Sequence, residues 1–166
     1  MMPIRSTTTA IALTVALLGT ALPTFTTPAM SATPFTTLGG TWSGSGRLRL
    51  NSGESERVRC RAYYSPRSSG KRMGMAIRCA SSSYAFELRS SLSSAGSRVT
   101  GRWEERNFNA HGSVVGTVRP GRLSLAVRGS VRGHMNVSFG KTRQTVSLRA
   151  YTDGAIRGLT IALRRR

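Results

Sequence analysis

The stretch Glu56-Arg57-Val58-Arg59-Cys60-Arg61-Ala62-Tyr63-Tyr64 alternates charge with apolarity at a period of two. Successive side chains of a β-strand point to opposite faces, so the segment reads as one strand with two unlike sides. Val58, Cys60, Ala62 and Tyr64 fall on the side that can enter a core, while Arg57, Arg59 and Arg61 fall on the side that must stay in water. A single strand of this kind predicts an all-β domain with a cationic exterior.

The same alternation extends in both directions. Upstream, Trp42 to Leu50 places Trp42, Gly44, Gly46, Leu48 and Leu50 on one face and Arg47 and Arg49 on the other, and Asn51-Ser52-Gly53 turns the chain into the arginine strand. Downstream, Ser65 to Gly70 turns it into a third strand, Lys71 to Ala80. If Cys60 faces Cys79 across this hairpin, Ala62 meets Ile77 and Tyr64 meets Met75 inside. Arg61 then meets Arg78 outside, where like charges repel and an anion between them would relieve the repulsion. Tyr84, Phe86 and Leu88 alternate next, with Glu87 expected diagonal to Arg78.

Short alternating segments follow at Val99–Trp103, Val114–Val118, Leu123–Val127, Met135–Phe139, Val146–Leu148 and Leu159–Leu163, separated by turn-forming residues at the spacing of barrels and sandwiches. No segment after the N-terminal leader has helical periodicity. The prediction is a single antiparallel meander of eight to ten short strands. Exposed sheet edges are a liability, and closure removes them, so a closed barrel is favoured and a β-sandwich is the alternative. Glycines at strand positions such as Gly44, Gly46, Gly74, Gly101, Gly116 and Gly129 suit the bends that closure needs. A barrel spanning an outer membrane fits poorly, because these strands lack the long lipid-facing apolar rows it requires.

Gly40-Thr41-Trp42 at the head of the first strand, followed by a meander, resembles the Gly-x-Trp opening of lipocalin-like barrels. The cysteine-tied hairpin is similar to that of small exported barrels that inhibit metalloproteases. As a whole the chain resembles small exported bacterial proteins, which implies a lipocalin-like fold and supplies no activity.

The 166 residues include 25 basic and 6 acidic ones, a net charge of +19, and the basic set is almost entirely arginine. Such a field steers a protein towards anionic surfaces or polymers. Arg5, the apolar run Ala10 to Leu22 and the small-residue exit Pro28-Ala29-Met30-Ser31-Ala32 read as a signal peptide over 1–32, cleaved after Ala29, Ser31 or Ala32. A flexible leader over 33–40 and one β domain over 41–166 would follow. That run, about 13 residues, is short of the roughly 20 a membrane-spanning helix needs, and no later segment comes closer. The expected location is therefore the periplasm or the outside of the cell. Removing Arg5 with the leader still leaves 24 of the 25 basic residues. Cys60 and Cys79 are the two cysteines, and under oxidising conditions they are expected to form one disulfide.

The reactive residue types are sparse and scattered. His111, expected in a loop, and His134, expected at a strand start, have no other His, Cys or acidic residue at metal-ligand spacing, so no metal is expected. Glu104 and Glu105 are adjacent and should diverge to opposite faces, as counter-charges for Arg102 and Arg106. No serine stands in a Gly-x-Ser-x-Gly elbow at a strand-to-helix turn. Gly140-Lys141-Thr142 lacks both the earlier glycine and the following helix of a phosphate-binding loop, and Asn136-Val137-Ser138 is a glycosylation sequon inside a predicted strand. No catalytic residue and no cofactor are therefore assigned, and the protein is expected not to be an enzyme.

The candidate site is a strip of arginines, Arg57, Arg59, Arg61, Arg78 and Arg89, with Tyr63 at one end. Guanidinium forks match phosphate and carboxylate oxygens in pairs. The expected partner is anionic envelope material: a glycan, a lipid phosphate or an acidic protein. Export disfavours nucleic acid. Two alternatives are carried. One is a carrier that holds a small apolar ligand among Trp42, Tyr84, Phe86, Trp103 and Phe139; the other is a periplasmic protease inhibitor acting through the segment ahead of Gly40. Arg164-Arg165-Arg166 is expected to be a mobile tail.

Overall fold

The computed structural model describes residues 35–151 and 154–166. The proposed signal peptide, with its cleavage positions, lies outside them. Ten strands follow in chain order: β1 Gly40–Leu50, β2 Ser55–Arg67, β3 Arg72–Ala80, β4 Ala85–Ala95, β5 Arg98–Glu105, β6 Ala110–Arg119, β7 Arg122–Gly129, β8 Gly133–Phe139, β9 Arg143–Ala150 and β10 Ile156–Arg165. Each pairs antiparallel with the next, and β10 returns to β1 from Trp42↔Arg165 to Leu50↔Ile156, which closes the barrel. That last ladder decides barrel against sandwich, because it leaves no strand edge unpaired.

The hairpin register is the one expected if Cys60 faces Cys79. Cys60 faces and is bonded to Cys79, Ala62 faces Ile77, Tyr64 faces Met75, and Arg61 faces Arg78. Along β2 burial alternates strictly from Arg57 to Tyr64, with Val58, Cys60, Ala62 and Tyr64 inside. One departure from the expected outline is β4. The sequence marks only Tyr84 to Leu88, yet the strand runs on to Ala95. Its inward positions beyond Leu88 are Ser90, Leu92 and Ser94, so a polar residue interrupts the alternation on either side of Leu92. His111 likewise belongs to β6 rather than to a loop.

The two ends of the barrel differ. At one, Phe35 precedes and Leu38 ends a short 3-10 turn, Thr36–Leu38, and both are buried. The part of the leader that the structure describes is thus packed onto the barrel. The Trp42 indole N–H donates to the Leu38 carbonyl at 2.8 Å. Above the indole lies the Arg165 guanidinium, 4.4 Å from the ring centre, a cation–π contact. Arg165 also donates to the carbonyls of Gly39, Thr37 and Lys141, and the backbone N–H of Arg166 donates to Thr41. The terminal arginines are therefore part of the barrel closure and not a free tail. Nearby, the Tyr64 hydroxyl donates to Gln144 Oε1 at 3.0 Å, and burial pushes the phenol up to about 12.

Between these ends the strands coil tightly. A Cβ on Gly46 would sit 1.9 Å from the carbonyl oxygen of Thr160 on β10, so only glycine permits that approach. At the far end lie the turns 51–54, 81–84, 106–109 and 130–132, with the end of β9 and the start of β10.

Candidate functional site

The inward-facing apolar residues do not fill the barrel. A cavity of about 290 Å³ occupies its middle and reaches the end opposite Trp42. Met75, Ile77, Leu92, Trp103, Leu125 and Ile161 line its depth, while Tyr84, Phe86, Phe108, Val131 and Ile156 surround its mouth. Of the five aromatics assigned to a carrier, the structure brings Tyr84, Phe86 and Trp103 to the cavity. Trp42 is instead spent on sealing the closed end, and Phe139 packs outside the cavity lining. The sequence could not separate these roles, because all five are inward positions of alternating strands.

Polar groups on the cavity wall are few. Glu105, at the end of β5, accepts the backbone N–H groups of Glu87 and Phe108, each at 2.7 Å, so both of its oxygens are occupied. Trp103 donates its indole N–H to the Arg128 carbonyl at 3.1 Å. Ser90, inward on β4 between Met75 and Trp103, is different: its hydroxyl is shielded from water and has no hydrogen-bond partner among the described residues.

Outside, the arginine strip divides into two groups. Glu87 stands directly opposite Arg78 rather than diagonal to it, and it gathers Arg78 at 3.0 Å, Arg89 at 2.8 Å and, at 4.0 Å, Arg106. Hydrogen bonds from Arg89 and then Arg78 hold its carboxyl below the ordinary carboxylate range. Arg57, Arg59 and Arg61 have no carboxylate within 4.0 Å among the described residues. They are joined by a residue the sequence reading left out, Arg47, which faces Arg57 across β1 and β2. Its outward position was legible; its pairing followed from the Asn51–Gly53 turn, which sets the register. Glu104 is ion-paired with Arg106 at 3.6 Å. Among the described residues no group of three His, Cys, Asp or Glu stands together as a metal site.

Ten antiparallel strands closed around an apolar interior, opened by a Gly-x-Trp strand, define a lipocalin-like β-barrel. Solved structures that share this fold include the following two. One is Rv2717c from M. tuberculosis, with a TM-score of 0.66 and 12% identity over 83% of this chain and 98% of that one. The other is the S-type phycobiliprotein lyase CPES from Guillardia theta, with a TM-score of 0.52 and 10% identity over 80% of this chain and 89% of that one. At these identities the likeness carries the fold alone. No family model and no curated protein matches the sequence.

The expectation that the protein is not an enzyme is corrected by this comparison, because a barrel of the same architecture is a lyase. The expectation rested on spacing along the chain. In a barrel, side chains far apart in sequence converge on one interior, so catalysis is not excluded by the absence of a local motif. No helix among the described residues is long and apolar enough to cross a membrane.

Proposed function

We propose that the protein binds a small, mainly apolar molecule inside its barrel. The observation that carries this reading is the cavity itself, apolar, deep and reaching one end of a barrel whose other end is sealed by Phe35, Leu38 and Trp42. Cavities of this kind are the usual small-molecule sites of barrels. An apolar cavity of roughly 150 Å³ accepts a benzene ring. Twice that volume suits a molecule of about ten to twelve non-hydrogen atoms by the same scale, well short of a porphyrin or a long acyl chain. Trp103 lines the cavity and Trp42 does not. A bound aromatic or conjugated compound of that size should therefore quench the fluorescence of Trp103, and Trp103→Phe should abolish the quenching while the protein remains folded. Absence of quenching by a panel of such compounds, together with no co-purifying ligand in a native mass spectrum, would overturn the reading.

A second reading is favoured by one specific observation. Arg47, Arg57, Arg59 and Arg61 form a cluster on the outer face of β1 and β2 without ion-pair partners among the described residues. This face is suited to anionic envelope material, such as a glycan, a lipid phosphate or an acidic protein, in an exported protein. Arg78 and Arg89, already shared with Glu87, have less to offer such a partner and serve the edge of the cluster.

A further inference from the structure

Among the described residues that line the cavity, one buried side-chain polar atom has no hydrogen-bond partner. Ser90 projects inward from the middle of β4, with Met75 and Trp103 as its cross-strand neighbours, and lines the cavity. The other polar groups in its depth have partners: Glu105 caps two backbone amides and Trp103 donates to Arg128, while the second buried atom without a partner among the described residues, Gln144 Nε2, lies outside the cavity lining. The Ser90 hydroxyl has no partner among the described residues and almost no exposed surface in the rotamer it adopts. Burying a hydroxyl without a hydrogen bond is destabilising, and a strand whose other inward residues include Phe86, Leu88 and Leu92 has no packing need for a serine there. An alanine would fill nearly the same space without that penalty.

We infer that Ser90 is a specificity-determining residue, and that the ligand has an apolar body with a single hydrogen-bonding group, a hydroxyl or a carbonyl, that meets Ser90 Oγ when rotation about its Cα–Cβ bond turns it towards the cavity. This rests on the cavity reading above and narrows it to a class of compound: small alcohols, phenols or ketones rather than hydrocarbons or carboxylates. Serine can donate to a carbonyl or accept from a hydroxyl by rotating about one bond, which satisfies either partner. A carboxylate is disfavoured because the depth of the cavity holds no cation to accompany it.

The test uses two probes of matched shape, 2-naphthol and 2-methylnaphthalene, which differ only by a hydroxyl in place of a methyl. Dissociation constants are measured by tryptophan quenching or calorimetry on the wild-type protein, on Ser90→Ala and on Ser90→Cys, a near-isosteric variant with a weak hydrogen-bonding group. The hydroxyl itself prefers water, so the informative quantity is the ratio of the two constants and not either one alone. In Ser90→Ala that ratio should move roughly five- to ten-fold against 2-naphthol, the worth of one hydrogen bond. Ser90→Cys should move it in the same direction, and the free Ser90→Ala protein should melt no lower than wild type. If both probes bind but the ratio is the same in all three proteins, the role of Ser90 is overturned while the cavity reading stands. If neither probe binds the wild-type protein, the cavity reading fails, and the Ser90 inference with it. A Ser90→Ala protein that melts several degrees lower would show that the hydroxyl is structural and would also overturn the inference.

Discussion

At the scale of single residues, the barrel depends on a few positions where chemistry leaves no choice. Gly46 is one. A methyl group there would collide with the Thr160 carbonyl at 1.9 Å, and backbone cannot give way as a flexible side chain can. Gly46→Ala should destabilise the protein by about 2 kcal/mol or more, as forced overpacking does, with urea unfolding as the measurement. Glu56 and Glu87 are two more. Hydrogen bonds from Ser81 and then Ser83 hold Glu56 at about 2, down from its ordinary 4.5, which ties β2 to the turn between β3 and β4. Glu87 is lowered by Arg89 and Arg78. A carboxylate whose folded value lies below its unfolded value contributes stability above the unfolded value and loses it as the pH falls towards the folded one. Stability should therefore be level from neutrality to about pH 5 and decline below about pH 4.5. The decline should be shallower in the Glu56→Gln, Glu87→Gln double variant, as read from melting temperature against pH.

At the scale of elements, the β2–β3 hairpin is both tied and patterned. The Cys60–Cys79 bond closes a loop with a sequence separation of 19, for which the chain-entropy account gives about 3 kcal/mol. Replacing both cysteines by alanine should lower unfolding stability by about that amount without altering the fold, checked by denaturation and far-UV dichroism. This hairpin was legible in the sequence once the cysteines were paired: strict alternation from Arg57 to Tyr64 puts Cys60 inside, and facing it with Cys79 sets the register. β4 was legible only in part. Its second half is Arg89-Ser90-Ser91-Leu92-Ser93-Ser94-Ala95, where Leu92 alone signals an inner face. Neighbouring strands supply the backbone pairing that makes it a strand, and no sequence pattern reports them. The serine that blurred the pattern is the same one that faces the cavity. The C-terminal arginines were misjudged for a related reason: a run of charge reads as solvated, and only closure of β10 on β1 lays Arg165 over Trp42.

At the scale of the whole molecule, polarity is arranged with the apolar residues inside and arginines outside, the reverse of a barrel that faces lipid. The interior offers a closed-ended cavity and the exterior a net positive field, so the two proposed modes of binding use different surfaces and can be separated by salt. Retention of the protein on a heparin matrix should fall steeply as salt rises. Arg57, Arg59 and Arg61 changed together to Ser should elute at clearly lower salt, because screening acts on exposed charges. Quenching of Trp103 by an apolar compound should be insensitive to the same salt. Retention unaltered in the triple variant would remove the outer site and leave the cavity untouched.

The fold class and the outward arginines were determined by the sequence alone, because each follows from a period of two along short runs of chain, while the disulfide was expected from an even cysteine pair and the hairpin register from that pairing. Closure into a barrel, the sealing of one end by Trp42 and Arg165, the sharing of Glu87 among arginines and the unpartnered Ser90 on a cavity wall were decided only by tertiary structure. Each of those joins residues from strands distant in the chain, and what a side chain meets across a barrel depends on strand tilt and closure, for which local alternation carries no information.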